Sequence, residues 1–306
     1  MVKTNSLKAW VLAARPKTLT GAIAPVLVGA AFAYTHSHLT PLASFLLPLL
    51  FAIFMQIDAN LINDYFDFKK GTDREDRLGP ERACAQGWIT PRAMQWGIAI
   101  MTILSCLVGL AILSIHMQWE LLLVGIFCVI FCFLYTTKLS YLGWGDLLVL
   151  IFFGLVPVIF TYYVITAGEW NIPLIISSVA MGLATDNLLM INNYRDRHQD
   201  KVSGKCTIIV RIIEAQIRKH DAEHSLKKGE EISQGIYLWL GIIATILGIT
   251  AVHTIPSLLL LIYLILHIQT YRQMKALDGK ALNRVLGATA RNIFLFGLLL
   301  ALSVLF

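Results

Sequence analysis

PLASFLLPLLFAIFMQIDANLINDYFDFKKGTD, residues 41–73, starts as an apolar run long enough to cross a bilayer and ends in acids. Asp64, Asp67 and Asp73 fall within its last ten positions, where the oily segment gives out. An ionised Asp in a lipid-embedded helix costs about 2.5–3.5 kcal/mol on insertion scales, so carboxylates near lipid are usually kept for function. The stretch therefore predicts a membrane-spanning helix over 41–63 with a polar end that carries chemistry.

The rest of the chain agrees with a membrane setting. Its 306 residues are 57% hydrophobic and only 14% charged, with a mean hydropathy of +0.68. A soluble domain carries about 25% charged residues, so much of this surface faces lipid. Spans need about 17–25 apolar residues. Nine can be marked off, near 19–35, 41–63, 92–115, 119–137, 145–167, 171–193, 235–253, 256–274 and 286–306. The first fifteen residues lack the apolar core of a cleaved signal peptide. Five cysteines show no C-x-x-C pair, which predicts neither a disulfide framework nor a zinc site.

Lys and Arg set the orientation. They crowd the N-terminal stretch, the connection after the second span (Lys69, Lys70, Arg74, Arg77, Arg82) and the one after the sixth (Arg195 to Lys228). The opposite connections, near 36–40, 116–118, 168–170 and 254–255, have none. The positive-inside rule then puts the N-terminus and both long loops in the cytoplasm and the C-terminus outside. The net charge of +6 is explained by topology, and nucleic acid is not needed as a partner.

The chain also repeats itself. NDYFD (63–67) aligns with NNYRD (192–196) at three of five positions, 129 residues apart, each after a long apolar run and before a basic loop. This predicts an all-α integral membrane protein in a single domain, 1–306. Two pseudo-repeated four-helix halves and a ninth helix would surround a central cavity, with loops 64–91 and 194–234 as its cap. Paired polar helix ends in two halves commonly mark the site of a membrane protein. At helical spacing Asn60, Asn63, Asp64 and Asp67 share one face of the second span. Asn192, Asn193, Asp196 and Asp200 do so on the sixth. So many acidic oxygens repel one another unless a positive group sits between them. Mg²⁺ suits such a set, because it prefers carboxylate and water oxygens and is often shared with a substrate phosphate.

With its nine spans and two Asp-rich motifs, the chain resembles the UbiA-type membrane prenyltransferases. The longer strings ARPKTL (14–19), NDYFDFKKGTDREDRLGPERACAQGWITP (63–91) and NNYRDRHQDKVSGKCT (192–207) resemble the 1,4-dihydroxy-2-naphthoate polyprenyltransferases of menaquinone synthesis. The resemblance implies that Asp64, Asp67, Asp196 and Asp200 hold Mg²⁺ against a polyprenyl diphosphate. The ionised donor is then attacked by the naphthoate ring, which loses carbon dioxide and a proton to give demethylmenaquinone. It implies a bacterial inner-membrane enzyme whose partners are its two substrates and the bilayer, with no obligatory protein partner. Relatives outside the naphthoate branch have a third acid where this chain has Gly71; here the acid is displaced to Asp73, a weaker metal candidate.

Other residues carry two readings each. Lys138, ending LYTTK (134–138), is a snorkelling anchor or the diphosphate lysine that the resemblance places in this neighbourhood. Tyr135, a turn earlier, orients it, bounds the cation pocket, or is an interfacial aromatic. Arg82 and Lys205 reach the diphosphate or only set topology. Asp186, two turns deeper than Asn193, contacts the aromatic acceptor, acts as a base, or is a buried hydrogen-bonded acid. Asp58 points away from the stripe and reads as structural. Segment 207–234 is either an amphipathic interfacial helix or a solvated loop. Two alternative functions stand beside the first: prenyl transfer to another aromatic acceptor, and a cation or proton transporter. Transporter sites sit near the bilayer midplane, whereas these acids cluster at helix ends.

Overall fold

The computed structural model describes residues 2–38, 41–71, 77–116, 118–168, 170–217 and 222–306, and these contain helices and connections but no strand. A short helix, α1 (Leu7–Ala14), opens the chain, capped by the Ser6 hydroxyl, which accepts from the Ala9 N–H. The spans follow as α2 (Pro16–Ser37), α3 (Leu42–Lys70), α4 (Pro91–His116) and α5 (Trp119–Leu134), the last prolonged by a π-helical turn, Tyr135–Leu139. The fifth span is α6 (Gly145–Leu150) and α7 (Val156–Thr166), joined by a second π turn, Ile151–Leu155. Then come α8 (Ile172–Val202), the short α9 (Ile208–Ile217), α10 (Ala222–Val252), α11 (Leu260–Ala276) and α12 (Leu282–Leu305). Among the described residues nine helices are long and apolar enough to cross a membrane, as the sequence predicts.

The core lies where α2, α7, α8, α10, α11 and α12 meet, around Ala24, Val28, Tyr162, Met181, Tyr263 and Phe296. Small residues let these helices approach closely, the usual device when lipid removes the hydrophobic drive between them. Ile103, Leu107 and Leu110 on α4, Ile126 and Phe127 on α5, and Ile262 and Ile265 on α11 are exposed, as a lipid-facing surface requires.

Three expectations change. The motif helices do not stop where the apolar runs do: α3 continues to Lys70 and α8 to Val202. The proposed cap segments 64–91 and 194–234 thus begin inside helices, and the connections start at Gly71 and Ser203. The helices persist because the polar oxygens of their last turns face a shared cavity, while Gly71, at φ +67°, ends α3 in the left-handed conformation that glycine adopts readily. Second, within segment 207–234 the described residues after Thr207 are helical, in α9 and the start of α10. Ile209, Val210 and Ile213 of α9 are buried against α8 and α10, so the amphipathic reading holds there. Third, α1 was not foreseen; its eight residues are too few to stand out by periodicity, and it is held by packing on α3.

The two halves are clasped above the polar helix ends. The Cys206 N–H donates to Tyr141 O at 2.9 Å, and the Arg211 guanidinium donates to Leu142 O at 2.6 Å. Gly143 makes that approach possible: it has φ +80°, and a Cβ there would sit 2.3 Å from Cys206 O.

Candidate functional site

The polar ends of α3, α5 and α8 enclose a cavity of about 480 Å³. Asn63 and Asp67 reach it from α3, and Asn192, Asn193, Asp196 and Asp200 from α8. Lys70, Arg77, Arg82, Tyr135, Tyr141, Asp146 and Lys205 complete much of the wall. Each motif acid on the cavity wall faces a cation. Arg82 Nη2 lies 3.0 Å from Asp67 Oδ2, Arg195 grips Asp196 through Nε and Nη2 at 2.7 and 2.6 Å, and Lys205 Nζ is 3.7 Å from Asp200 Oδ1. Burial by itself would pull the Lys205 ammonium down. The carboxylates of Asp200 and then Asp67 outweigh it and hold the group above its ordinary value, so it stays charged at neutral pH.

Arg195 is the hub of the second motif. Only 1% exposed, it also donates to Asn192 Oδ1 and to Asn283 Oδ1 of α12, each at 2.8 Å. Asn283 in turn donates to Leu78 O at 2.7 Å, so one buried guanidinium ties α8, α12 and the loop after α3 together. Lys70, at the end of α3, donates to Thr137 O at 2.9 Å and lies 3.9 Å from the centre of the Tyr141 ring.

Asp64 behaves differently from the rest of its stripe. It is 1% exposed, and its two oxygens accept the N–H groups of Ala83 and Cys84 at 2.8 and 2.9 Å. It does not line the polar cavity; it pins the turn that delivers Arg82. Asn60 is turned too, donating to Ala14 O and Thr18 Oγ1 at 2.9 Å. The helical-face argument merges these residues because i and i+4 lie within a fraction of a turn, and the loop and α1 capture the two at its edges.

A second cavity, about 390 Å³, adjoins the first. Phe51, Met55, Phe131, Phe152, Phe153 and Phe160 give it an apolar lining, and Asn63, Arg77, Arg82, Tyr135, Leu189 and Asn192 belong to both walls.

Of the residues singled out from sequence, the structure thus gathers Asn63, Asp67, Arg82, Tyr135, Asn192, Asn193, Asp196, Asp200 and Lys205. Lys138 is exposed and lines neither cavity, which agrees with its reading as an anchor. The π turn is the reason, since its wider winding no longer stacks position i+3 over i; Tyr135 and Thr136 face inward and Lys138 turns out. Asp186 is buried behind the wall. Asp58 accepts from Thr102 Oγ1 at 2.6 Å, in keeping with its structural reading. Asp73 lies outside the described residues. Sequence reasoning missed Lys70, Tyr141, Asp146 and the hub role of Arg195. Lys70 had a signal, three positions after Asp67 on the same face, but was absorbed into the count of loop charges.

The donor set fits a hard divalent cation. Four carboxylates (Asp67, Asp146, Asp196 and Asp200) and four carboxamides (Asn63, Asn192, Asn193 and Gln199) line one cavity, although no three of the described His, Cys, Asp and Glu side chains converge enough to hold an ion unaided. That suits an ion held by one or two carboxylates per motif, with water and substrate phosphate completing its shell.

The UbiA prenyltransferase family matches residues 22–298. The 1,4-dihydroxy-2-naphthoate octaprenyltransferase of Escherichia coli K12 is 33% identical, over 97% of this chain and 95% of its own length. The Haemophilus influenzae protein of the same name is 36% identical over 68% of this chain and 70% of its own. Among solved structures, a UbiA homologue from Archaeoglobus fulgidus bound to GPP and Mg²⁺ covers 97% of this chain at a TM-score of 0.65 and 18% identity. The apo UbiA homologue from Aeropyrum pernix K1 covers 94% at 0.66 and 15%, and both similarities speak to the fold.

Proposed function

Since the chain belongs to the UbiA prenyltransferase family, and so is a prenyltransferase of the membrane, we propose that it transfers a polyprenyl group to 1,4-dihydroxy-2-naphthoate. The observation that carries this reading is the union of two unlike chambers: a polar one rich in acids and cations, opening through shared walls into an apolar one. A polyprenyl diphosphate has the matching halves, an anionic head and an oily tail. The names of the two relatives support the choice of acceptor, and with it loss of carbon dioxide and a demethylmenaquinone product. Family membership sets the transporter reading aside.

In this account Asp67, Asp196 and Asp200, with the carboxamide oxygens of Asn63 and Asn192, would hold Mg²⁺, which would supply positive charge to offset that developing on the departing diphosphate. Arg82, Lys205 and Lys70 turn from their resting partners to phosphate oxygens, a role that preorganised cations fill well in a site that excludes bulk water. Asp64 acts at one remove, as the anchor of the Arg82 turn. The phenylalanine-lined chamber holds the tail and shields the allylic cation from water. The polar chamber faces the cytoplasm of a bacterial inner membrane, the side to which the Lys- and Arg-rich connections assign it.

The test is direct. Purified protein in detergent with Mg²⁺, a polyprenyl diphosphate and 1,4-dihydroxy-2-naphthoate should yield the prenylated, decarboxylated product by mass spectrometry, and excess chelator should stop it. Product that retains the carboxylate would refute the decarboxylating reading. Turnover only with other phenolic acceptors would refute the choice of acceptor.

A further inference from the structure

Asp146 sits on the wall of the polar cavity, at the start of α6, and differs from the other acids there. Asp67, Asp196 and Asp200 each face a lysine or arginine, whereas no described cation pairs with Asp146. Its Oδ1 is buried and accepts no hydrogen bond. Asp186 is 7% exposed, and its Oδ1 is also without a partner. Two orphaned oxygens of the same kind call for a common explanation.

The helix packing supplies one. α8 runs antiparallel to the fifth span, and glycine lets their backbones nearly touch. A Cβ on Gly154 would lie 2.6 Å from Ser178 O and Gly182 Cα, and one on Gly182 would lie 2.9 Å from Leu150 O. The pairs Gly154–Ser178 and Leu150–Gly182 step four residues along each helix in opposite directions. One more step in that register sets Asp146 against Asp186. A Cβ on the neighbouring Gly145 would be 3.1 Å from Leu189 Cδ2 and 4.0 Å from the Tyr135 hydroxyl, which continues the seam to the junction of the two cavities. Two carboxylates facing each other in a buried seam cannot both be ionised cheaply; sharing one proton relieves the repulsion.

We propose that Asp146 and Asp186 form a proton-sharing carboxylate pair, with Asp146 the base that takes the hydroxyl proton of a phenolic acceptor and Asp186 its buried support. This rests on the prenyl-transfer reading above. In the step, the acceptor O–H breaks and its proton passes to Asp146. The electron pair left on oxygen pushes into the ring, a ring carbon bonds to the allylic carbon of the donor, and the carbon–oxygen bond to diphosphate breaks with its pair on the diphosphate. Afterwards the pair returns the proton to water in the polar cavity. Tyr135 lines both cavities beside this pair and orients the acceptor hydroxyl toward it.

The experiment uses the full chain in detergent with Mg²⁺, a polyprenyl diphosphate and two acceptors, the free naphthol and its O-methyl ether. General-base catalysis contributes about 10²–10⁴-fold. Asp146→Asn should therefore lower kcat on the naphthol by about 100-fold or more while the donor KM stays within twofold. On the methyl ether, which has no proton to give, wild type and Asp146→Asn should be equally slow. Asp186→Asn should lose about tenfold on the naphthol, and the double variant should be no worse than Asp146→Asn alone. Asp146→Glu should recover part of the loss. Wild-type kcat in Asp146→Asn, or a defect just as large on the methyl ether, overturns the base assignment and leaves prenyl transfer standing. If Asp146→Asn does not fold, Asp186→Asn carries the test, and wild-type activity there overturns the pair. No turnover by the wild type with any phenolic acceptor overturns the functional reading, and this inference with it.

Discussion

The ends of α3 and α8 are built from the same five-residue pattern but reach their geometry by different routes. Asn63 and Asn192, and Asp67 and Asp196, occupy matching places and all four line the polar cavity. The motif tyrosines match as well: the Tyr65 hydroxyl accepts from Gln95 at 2.7 Å and the Tyr194 hydroxyl from Gln234 at 2.8 Å, each on the next spanning helix. The intervening residues differ. The first motif has Asp64 and Phe66 where the second has Asn193 and Arg195. The second therefore carries its own cation, buried and bonded to α12. The first takes Arg82 from fifteen residues away, and Asp64 holds the turn that brings it. One motif is ordered by its helix, while the other depends on a loop staying folded.

The largest expected effect treats the two alike. Asp67→Ala and Asp196→Ala should each lower turnover at least about 1000-fold, since each removes a carboxylate proposed to hold the metal in a cavity that is preorganised for charge. A tenfold difference between them in measured kcat would mean that the motifs share the metal unequally.

Arg195→Lys and Arg82→Lys should separate them. A lysine cannot reproduce the fork that grips Asp196 while reaching Asn192 and Asn283. The first variant should lose about 100-fold in activity and unfold several degrees lower. The second should raise donor KM about tenfold and leave thermal stability nearly unchanged. Equal stability losses in calorimetry would erase the contrast between a helix-built and a loop-built motif.

Asp64→Ala sharpens it further. Hydrogen bonds to a charged group are worth about 1.5–3 kcal/mol, and losing two should free the 82–84 turn. Hydrogen exchange at Ala83 and Cys84 should rise sharply, with a donor KM about tenfold higher and residual turnover well above that of Asp67→Ala. A complete loss of activity with exchange unchanged would make Asp64 a metal ligand, as its place in the stripe first implied. The smallest effect belongs to Lys138→Met, expected within twofold of wild type with both substrates, while Lys70→Met should raise donor KM about tenfold.

The number of spans was legible because lipid imposes a length and a polarity on every one of them. The two motifs were legible because an acid beside an apolar run stands out. What remained hidden depends on tertiary partners. Nothing near position 64 reveals that Ala83 and Cys84 would claim its carboxylate, and nothing near Arg195 points to Asn283, 88 residues on. The two readings of Lys138 could not be separated by sequence because a single π turn shifts the phase of a helix, and neither composition nor periodicity marks where one occurs. Asp146 was overlooked because one acid at a helix start looks like an ordinary first-turn charge until the opposite helix is in view.

The two chambers share a rim that includes Asn63, Tyr135 and Asn192, and this has a pharmacological consequence. A purely apolar compound lodged among Phe51, Phe152, Phe153 and Phe160 would compete with the lipid tail without meeting an acid of either motif. Its potency would be indifferent to chelators and to ionic strength. Resistance would then arise by reshaping phenylalanines, which a flexible tail can tolerate. A phosphate mimic in the polar chamber would press selection onto Asp67 and Asp196, the positions whose loss is expected to cost the most activity.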